Sequence, residues 1–435
     1  MIDRETQILE KWMNAKSKLS VASIADPYLR RNAAILLENL SKKENYIAES
    51  APNLYEADIT TTNYGSNAGD GARFQPIAMA LLRRTYTDYF AHKCVGFQTM
   101  QGPVGLVYAL RKVYDIPGVP GSSSYLGGSD SYEAGFRALN EYSGYTGSSA
   151  GSALSTATSA IYDFSNSATA GKFGTGVATS AAEAWSIGGG TMPSLRLFHD
   201  KKAVEAKTRK LAASFSLETA QDLRAMHNID VEREMLEVLA REIPAERDRE
   251  VIGRMMQAAL NPTLGGAAAI TFDVSASDGR WSQEKIANLI NVVSKVAGDI
   301  ATYTMVGAAN FCICSPRVAA SFAAAGGQFT AFSSEVNVAT TVSEVGKING
   351  TITVYRDSLA PTDYCLLGYK GPTPQDTGIV VCDYITMLTN KAIDPNNFST
   401  RVGTLSRYDI VDSLLGSGRY YRVIKVNNLD KVIGN

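Results

Sequence analysis

The sequence predicts an α+β fold, and three observations carry that reading. Helical stripes and strand-like apolar runs both occur, but the strands gather late in the chain instead of alternating with helices as βαβ units would. Asn349-Gly350 stands between the alternating runs 346–348 and 351–357, the strongest short-range hairpin signal available. Residues 201–255 join a basic extended arm to a short helix and then to a long charged one, with no catalytic constellation among them. At 435 residues the chain exceeds what one compact core usually fills, so two or more lobes are expected.

Residues 1–46 form a charged amphipathic leader. Ile8, Leu9, Trp12 and Met13 mark a first helix. Asp26-Pro27 is a cap followed by a first-turn proline, and Leu29, Ala33, Leu36, Leu37 and Leu40 make a second stripe. Neither helix can bury its stripe alone, so each is expected to pack on a partner or a scaffold, with a helical N-terminal subdomain as the other reading. Residues 60–71 are polar and Gly-rich, as in a flexible arm. Residues 117–190 are rich in Gly, Ser, Thr, Ala and Tyr, and read as a loop extension with short strands, or else as disorder.

Val204, Ala206 and Thr208 alternate with Glu205, Lys207 and Arg209, the period-2 signal of a strand with one drier face. Ser216 is positioned to cap a helix carrying Leu217, Ala220, Leu223 and Ala225. Asp230 then caps a longer helix whose stripe is Val231, Met235, Val238, Leu239, Ile243, Val251, Ile252, Met255 and Met256. Such a stripe suits a helix packed on one side only. Pro244 lies inside it and predicts a kink or break near Ile243. Asn261-Pro262 and the following glycines end this helix. Ser282 is read as the cap of the next, with Ile286, Leu289, Ile290, Val293, Val296 and Ile300. Residues 310–314 form a short buried strand, Ser315-Pro316 opens another helix that stops at Gly326-Gly327, and 365–369, 377–384 and 420–426 are further strands.

A net charge of -1 lacks the basic surplus of a dedicated nucleic-acid binder. Five cysteines in no framework spacing point to a reducing cytoplasm. No apolar run reaches the length of a membrane span, and the N-terminus is too charged for a secretory signal. Gly147 to Gly151 matches the G-x-S-x-G elbow around Ser149, but that motif needs a strand before it, a helix after it and a later histidine. It lies here in low-complexity sequence, and His199 and His227 belong to other segments. Gly171-Lys172 lacks the rest of a phosphate loop, and Gly188-Gly189-Gly190 has no dinucleotide fingerprint. Cys312 and Cys314 share one strand face and read as small buried residues, not zinc ligands. Catalytic, metal and cofactor residues are therefore expected to be none.

Residues 201–255 resemble the extended-loop return strand and spine helix of the T-even-type tailed-phage (myovirus) major capsid protein, which has the Hong Kong 97 fold. Residues 95–114 are similar to the family's segment leading into the extended loop. Residues 368–387, 394–410 and 420–426 look like its C-terminal third. The resemblance runs from about Tyr55 onward and skips roughly 117–190. It implies a leader or propeptide associated with scaffold over 1–56, an N-terminal arm and start of the extended loop over 57–116, and an insertion in that loop over 117–190. The return strand and spine helix (peripheral domain) would occupy 191–262, the axial domain and sheet 263–393, and the C-terminal strands 394–435.

The implied function is a structural, non-enzymatic one: hexameric capsomers of an icosahedral head around double-stranded DNA, assembled in the bacterial host cytoplasm and kept in the virion. Implied partners are copies of the chain itself, a vertex protein, scaffold, portal, a prohead protease and decoration proteins. Packaged DNA would be touched non-specifically, and near-neutral charge suits a wall that must not grip it; no membrane is involved. Family members lose a leader to a protease cutting after Glu in an (Ile/Leu)-x-Glu pattern. Glu56-Ala57 matches best and Glu49-Ser50 second, while Leu36-Leu37-Glu38 also fits the pattern. Lys201, Lys202, Lys207, Arg209 and Lys210 on the return strand, with Glu232, Glu234 and Glu237 on the spine helix, are the candidate inter-subunit contacts; the basic group is expected to meet acidic groups of a neighbouring subunit, with a solvated face as its other reading. Alternatives are a vertex (pentamer) protein of the same fold or one chain in both positions, a hydrolase using Ser149, or a carbohydrate-binding module at 117–190.

Overall fold

A computed structural model describes residues 2–13, 21–50, 90–115, 179, 183, 194–262, 266–274, 281–304, 306–325, 329–331, 342–373, 376–393, 399–414 and 416–429. The expected loop insertion apart from residues 179 and 183, the arm at 60–71, Ser149 and the Glu56-Ala57 junction lie outside them.

Two leader helices come first, α1 (Ile2–Met13) and α2 (Pro27–Ser50). Asp26 caps α2 as the sequence predicts, its Oδ1 accepting the Tyr28 N–H at 2.9 Å. The two stripes find one another: Trp12, Val21, Ile24, Ala33, Ala34, Leu36 and Leu37 form one buried cluster. A short helix α3 (Ala91–Cys94) then leads into strand β1 (Gly96–Thr99). Strands β2 (Val104–Asp115) and β3 (Ser194–Glu205) pair only with each other, antiparallel over their full length. Twelve residues a side make a ribbon about 40 Å long.

The chain leaves the ribbon still extended, passes Ala206, and becomes β4 (Lys207–Phe215) at the edge of a four-stranded sheet of order β1-β11-β12-β4. One basic segment thus serves two sheets. The dry face expected for it holds at Val204 and Ala206 but ends at Thr208, which is exposed. Strands β11 (Ile379–Ile393) and β12 (Thr400–Asp412) are hairpin partners in that sheet. The division expected between 393 and 394 falls inside this hairpin, because ladder bonds and not chain position hold the two strands together.

Helix α4 (Leu217–His227) has the Ser216 cap the sequence predicts, its Oγ accepting the Thr219 N–H at 3.2 Å. It buries none of its residues. Helix α5 (Val231–Leu260) is capped by Asp230 Oδ1 on the Glu232 N–H at 3.2 Å. It runs through Pro244 as one thirty-residue helix, so of the kink or break expected near Ile243 the break does not occur. Packing of Leu239, Ile243, Val251, Ile252 and Met255 on both sides of the proline holds the helix through the missing backbone bond.

A seven-stranded mixed sheet has the order β5-β13-β10-β6-β9-β8-β7. Its strands are β5 (Ile270–Asp273), β6 (Phe311–Cys314), β7 (Phe329–Ala331), β8 (Val342–Ile348), β9 (Ile352–Asp357), β10 (Tyr364–Gly368) and β13 (Tyr421–Asn427). Asn349 and Gly350 take φ of 50° and 72° between β8 and β9, the left-handed geometry for which this pair is suited. Helices α6 (Ser282–Thr304) and α7 (Pro316–Ala324) cover one face. Trp281, not Ser282, stands before the first residue of α6, with its carbonyl accepting the Lys285 N–H at 3.1 Å.

Period-2 alternation sends each strand's residues into two cores. Cys312, Cys314, Val354, Cys365, Leu367 and Ile424 face α6 and α7. Phe311, Ile313, Tyr355, Leu366 and Tyr421 face the other way, toward Val251, Ile252, Met255 and Ala258 of α5 and toward Val381 and Ile410 of the four-stranded sheet. All five cysteines are free and buried. Hydrogen bonding with Cys312 and burial hold the Cys314 and Cys365 thiols well above the ordinary range, in keeping with a core role.

Candidate functional site

The centre of the molecule is where α5 crosses the four-stranded sheet. Arg247, at the middle of the helix, sets one Nη2 on both carboxylate oxygens of Asp383 in β11, at 2.6 and 2.7 Å. Both side chains are almost wholly buried, at 2% and 0% exposed. The guanidinium lies between two rings, 5.3 Å from the centroid of Phe97 in β1 and 4.8 Å from that of Tyr408 in β12. The Tyr408 hydroxyl donates to Glu250 Oε2 at 2.8 Å, one helical turn from Arg247. Arg209, on β4, donates to Glu246 at 2.5 Å and to Glu250 at 2.7 Å. Every strand of the sheet therefore holds the helix at one place: β1 through Phe97, β11 through Asp383, β12 through Tyr408 and β4 through Arg209.

Burial pushes the Asp383 carboxyl up, and the Arg247 charge and hydrogen bonds act against it. The neighbouring Asp248 points toward the start of α3. Burial raises its carboxyl to about 7, opposed by Arg247 and by hydrogen bonds from the backbone of Ala91 and Phe90.

Around this anchored centre are surfaces the subunit leaves open. On one face of the ribbon, Val104, Leu106, Tyr108, Leu110 and Leu197 are exposed large apolar groups, with Val104 62% and Leu197 63% accessible. Cross-strand register puts Ala203, Lys201 and His199 on that same face, opposite Leu106, Tyr108 and Leu110. Tyr108 and His199 touch, ring centroids 4.9 Å apart. The second open area lies at α4 and the start of α5, where Leu217, Met226, Ile229 and Val238 are exposed. Glu234, Glu237 and Glu242 are exposed on the same stretch of α5.

The eight charged residues singled out from the sequence divide accordingly. Lys201 and Lys202 project from the ribbon, while Lys210, Glu234 and Glu237 are exposed on β4 and α5. Lys207, Arg209 and Glu232 form ion pairs inside the subunit. Lys207 pairs with Asp409 at 3.0 Å, Arg209 with the two α5 glutamates, and Glu232 with Lys391. The acidic groups expected on a neighbour for Arg209 are thus on the subunit's own helix, because β4 is a strand of the sheet that the helix crosses. Sequence reading missed Arg247, Asp383, Tyr408 and Phe97. One signal was available: Asp383 is a lone carboxylate in the apolar run 379–385, where a buried charge requires a partner. Among the described residues no cluster of His, Cys, Asp or Glu could hold a metal ion.

Two measurements check this centre. Asp383→Asn or Arg247→Met alone is expected to cost about 3–5 kcal/mol in denaturant unfolding, and the paired variant Arg247→Met with Asp383→Leu to recover most of it; additive losses would contradict the pairing. A carboxyl raised on folding favours the folded state while protonated and loses that contribution as pH rises through its folded value. For Asp248 the loss runs from about pH 4 to about pH 7. Asp248→Asn should flatten the stability profile in that window, and an unchanged slope would show that the carboxyl does not titrate there.

The family model described as "Major capsid protein Gp23" matches residues 71–430. The chain is 29% identical to the major capsid protein of Enterobacteria phage T6 over 483 aligned positions, covering 94% of this chain and 95% of that one. To the major capsid protein of Enterobacteria phage T4 it is 28% identical, with 94% and 92% covered. Among solved structures, the capsid of Myoviridae Phage XM1 aligns with a TM-score of 0.41 at 8% identity, over 78% of this chain and 91% of that one. The α+β architecture, with its long helix, ribbon and two sheets, is consistent with the Hong Kong 97-type fold that the resemblance implies. Matched over most of its length, the chain belongs to the Gp23 major capsid protein family and is a structural protein of the bacteriophage head.

Proposed function

We propose that this subunit forms hexameric capsomers of an icosahedral head around double-stranded DNA, through the open faces of its ribbon and of α4 and α5, with no catalytic role. A two-stranded ribbon has no core of its own, so its exposed leucines and Tyr108 are the observation that carries the reading. The natural receiver is the second open area on another copy. Apolar Leu217, Met226, Ile229 and Val238 match the ribbon's leucines, and Glu234, Glu237 and Glu242 match Lys201 and Lys112 of the same ribbon face in charge, while Lys202, opposite Val107, belongs to the other face. Lys210 is a further contact of this kind. Lys207, Arg209 and Glu232 contribute by holding β4, β11 and α5 in register, so that the surface is presented rigidly.

Assembly by such faces needs no strong single contact. Apolar burial yields roughly 25 cal/mol per Å² before association costs are met, so each contact stays modest and closure of the shell supplies the rest. Weak contacts also let misplaced subunits leave. Vertex protein, scaffold, portal, protease and decoration proteins complete the reading as partners, with assembly in the host cytoplasm and the virion as destination. In it the leader is cut from mature particles at Glu56-Ala57, with Glu49-Ser50 second. A subunit placed at the vertices, alone or as well, is the alternative.

Leu106→Ser with Leu110→Ser is expected to leave the subunit's circular dichroism and unfolding midpoint unchanged. Capsomer yield in sedimentation should fall at least tenfold; full yield would sink the ribbon's role. Mass spectrometry of mature particles should show chains beginning at Ala57 or Ser50, and an intact Met1 would end the cleavage reading.

A further inference from the structure

The leader has an unusual division between its interior and its seam with the rest of the subunit. Among the described residues, its apolar cluster draws on Ile8, Leu9, Trp12, Val21, Leu36 and Leu37 and others between positions 8 and 37, and on one residue from elsewhere, Leu388 of β11. The two helices are also joined at Glu38, whose Oε2 accepts from Lys11 Nζ at 2.8 Å and from Trp12 Nε1 at 3.2 Å.

The seam carries a set of polar contacts beside the Tyr28 ring, which packs against the main core. Tyr28, Asn32 and Asn39 lie four and seven residues apart, which puts all three on one face of α2. The Tyr28 hydroxyl donates to the Phe97 carbonyl. The Thr99 hydroxyl donates to Asn32 Oδ1 at 3.5 Å. Buried Asn39 uses one Nδ2 for two carbonyls, Met100 at 3.0 Å and Tyr384 at 3.2 Å. Among the described residues β1 is an edge of its sheet, and α2 supplies side-chain partners along it.

The places gripped are informative. Met100 lies between the end of β1 and the start of the ribbon. Tyr384 sits at a register shift in β11, between Asp383 and Ile385. Both belong to the small cluster that supports the ribbon's base, with Val107, Val204 and Ala206. The Met100 N–H also donates to the Asp383 carbonyl at 2.7 Å, the Ala206 N–H to the Pro103 carbonyl at 2.9 Å, and the Arg407 guanidinium lies 5.4 Å from the Tyr384 ring centroid, so Asn39 adds its two bonds where the base of the ribbon is already gathered.

We propose that the leader hairpin is a self-contained, detachable clamp. Docked along β1 through Tyr28, Asn32 and Asn39, it fixes the direction of the ribbon, and the ribbon's base loosens when the clamp lifts while the leader keeps its fold. The clamp operates in the uncut chain, so the inference does not rest on the cleavage reading. A ribbon held in one direction before the leader undocks, and freed afterwards, would let a single polar seam decide when the ribbon's apolar face can reach a neighbour.

Hydrogen exchange on the full-length subunit tests this, comparing wild type with Tyr28→Phe and Asn39→Leu. Exchange over residues 96–107 should rise roughly tenfold or more, as expected for the loss of one or two buried hydrogen bonds, while residues 27–37 of α2 keep their protection. Strands β6 and β10 should keep wild-type protection. Unchanged exchange over 96–107 in both variants would overturn the proposal. Leu37→Ala provides a second arm by hollowing the leader's own cluster. It should loosen α1, α2 and the ribbon's base while β6 and β10 stay protected. Loss of protection there as well would show that the leader is part of one cooperative core and not a clamp.

Discussion

A single buried ion pair fixes the geometry of this subunit. Arg247 and Asp383 join the middle of a thirty-residue helix to the inner strand of a four-stranded sheet, where neither charge reaches water. Burying two charges costs several kcal/mol each, and hydrophobic side chains of the same volume would pack as stably. What the pair adds is registry. Apolar residues on a helix face can slide past a sheet by a turn at little cost, whereas a guanidinium between two rings and a carboxylate has one position. Tyr408, Glu250 and Arg209 extend the constraint outward, so the exposed end of α5 and the edge strand β4 are set by the same contact.

This rigid centre makes the subunit's open surfaces useful. The ribbon leaves the sheet through Ala206 without any intervening helix, so the direction of the ribbon is tied to the strand that Arg209 anchors. Helix α4 and the start of α5 stand at the other side of the same sheet strand with apolar groups uncovered. An assembly built of weak contacts tolerates little angular error, because each contact contributes only when its neighbours are also made. The internal polar network answers that demand, and the leader answers a related one by holding the edge at which the ribbon begins.

Much of the fold was legible in the chain. Local chemistry fixes its own neighbourhood: Asp26, Ser216, Asp230 and Ser315 cap the helices that follow them, and Asn349-Gly350 turns its hairpin. Strand alternation also placed Cys312 and Cys314 together on one buried face. Pro244 does not break its helix, because helix propensity is a local term and packing on both flanks outweighs one absent hydrogen bond. The leader's stripes were legible as well, but not that each would be the other's partner. The charges of the return strand were visible, and their partners were not, since Lys207 and Asp409 lie about two hundred positions apart.

The sequence by itself determined the α+β class, most of the helices, the caps Asp26, Ser216, Asp230 and Ser315, and the hairpin at Asn349-Gly350, because those depend on residues within a turn or two of one another. Only the tertiary structure decided that β11 and β12 join β1 and β4 and not the larger sheet, that Arg247 finds Asp383, and that α2 lies along the open edge of β1. Each of those is a pairing across a long loop, chosen by complementary burial and charge among many segments of similar local character. A residue's neighbours in the chain carry no record of that choice.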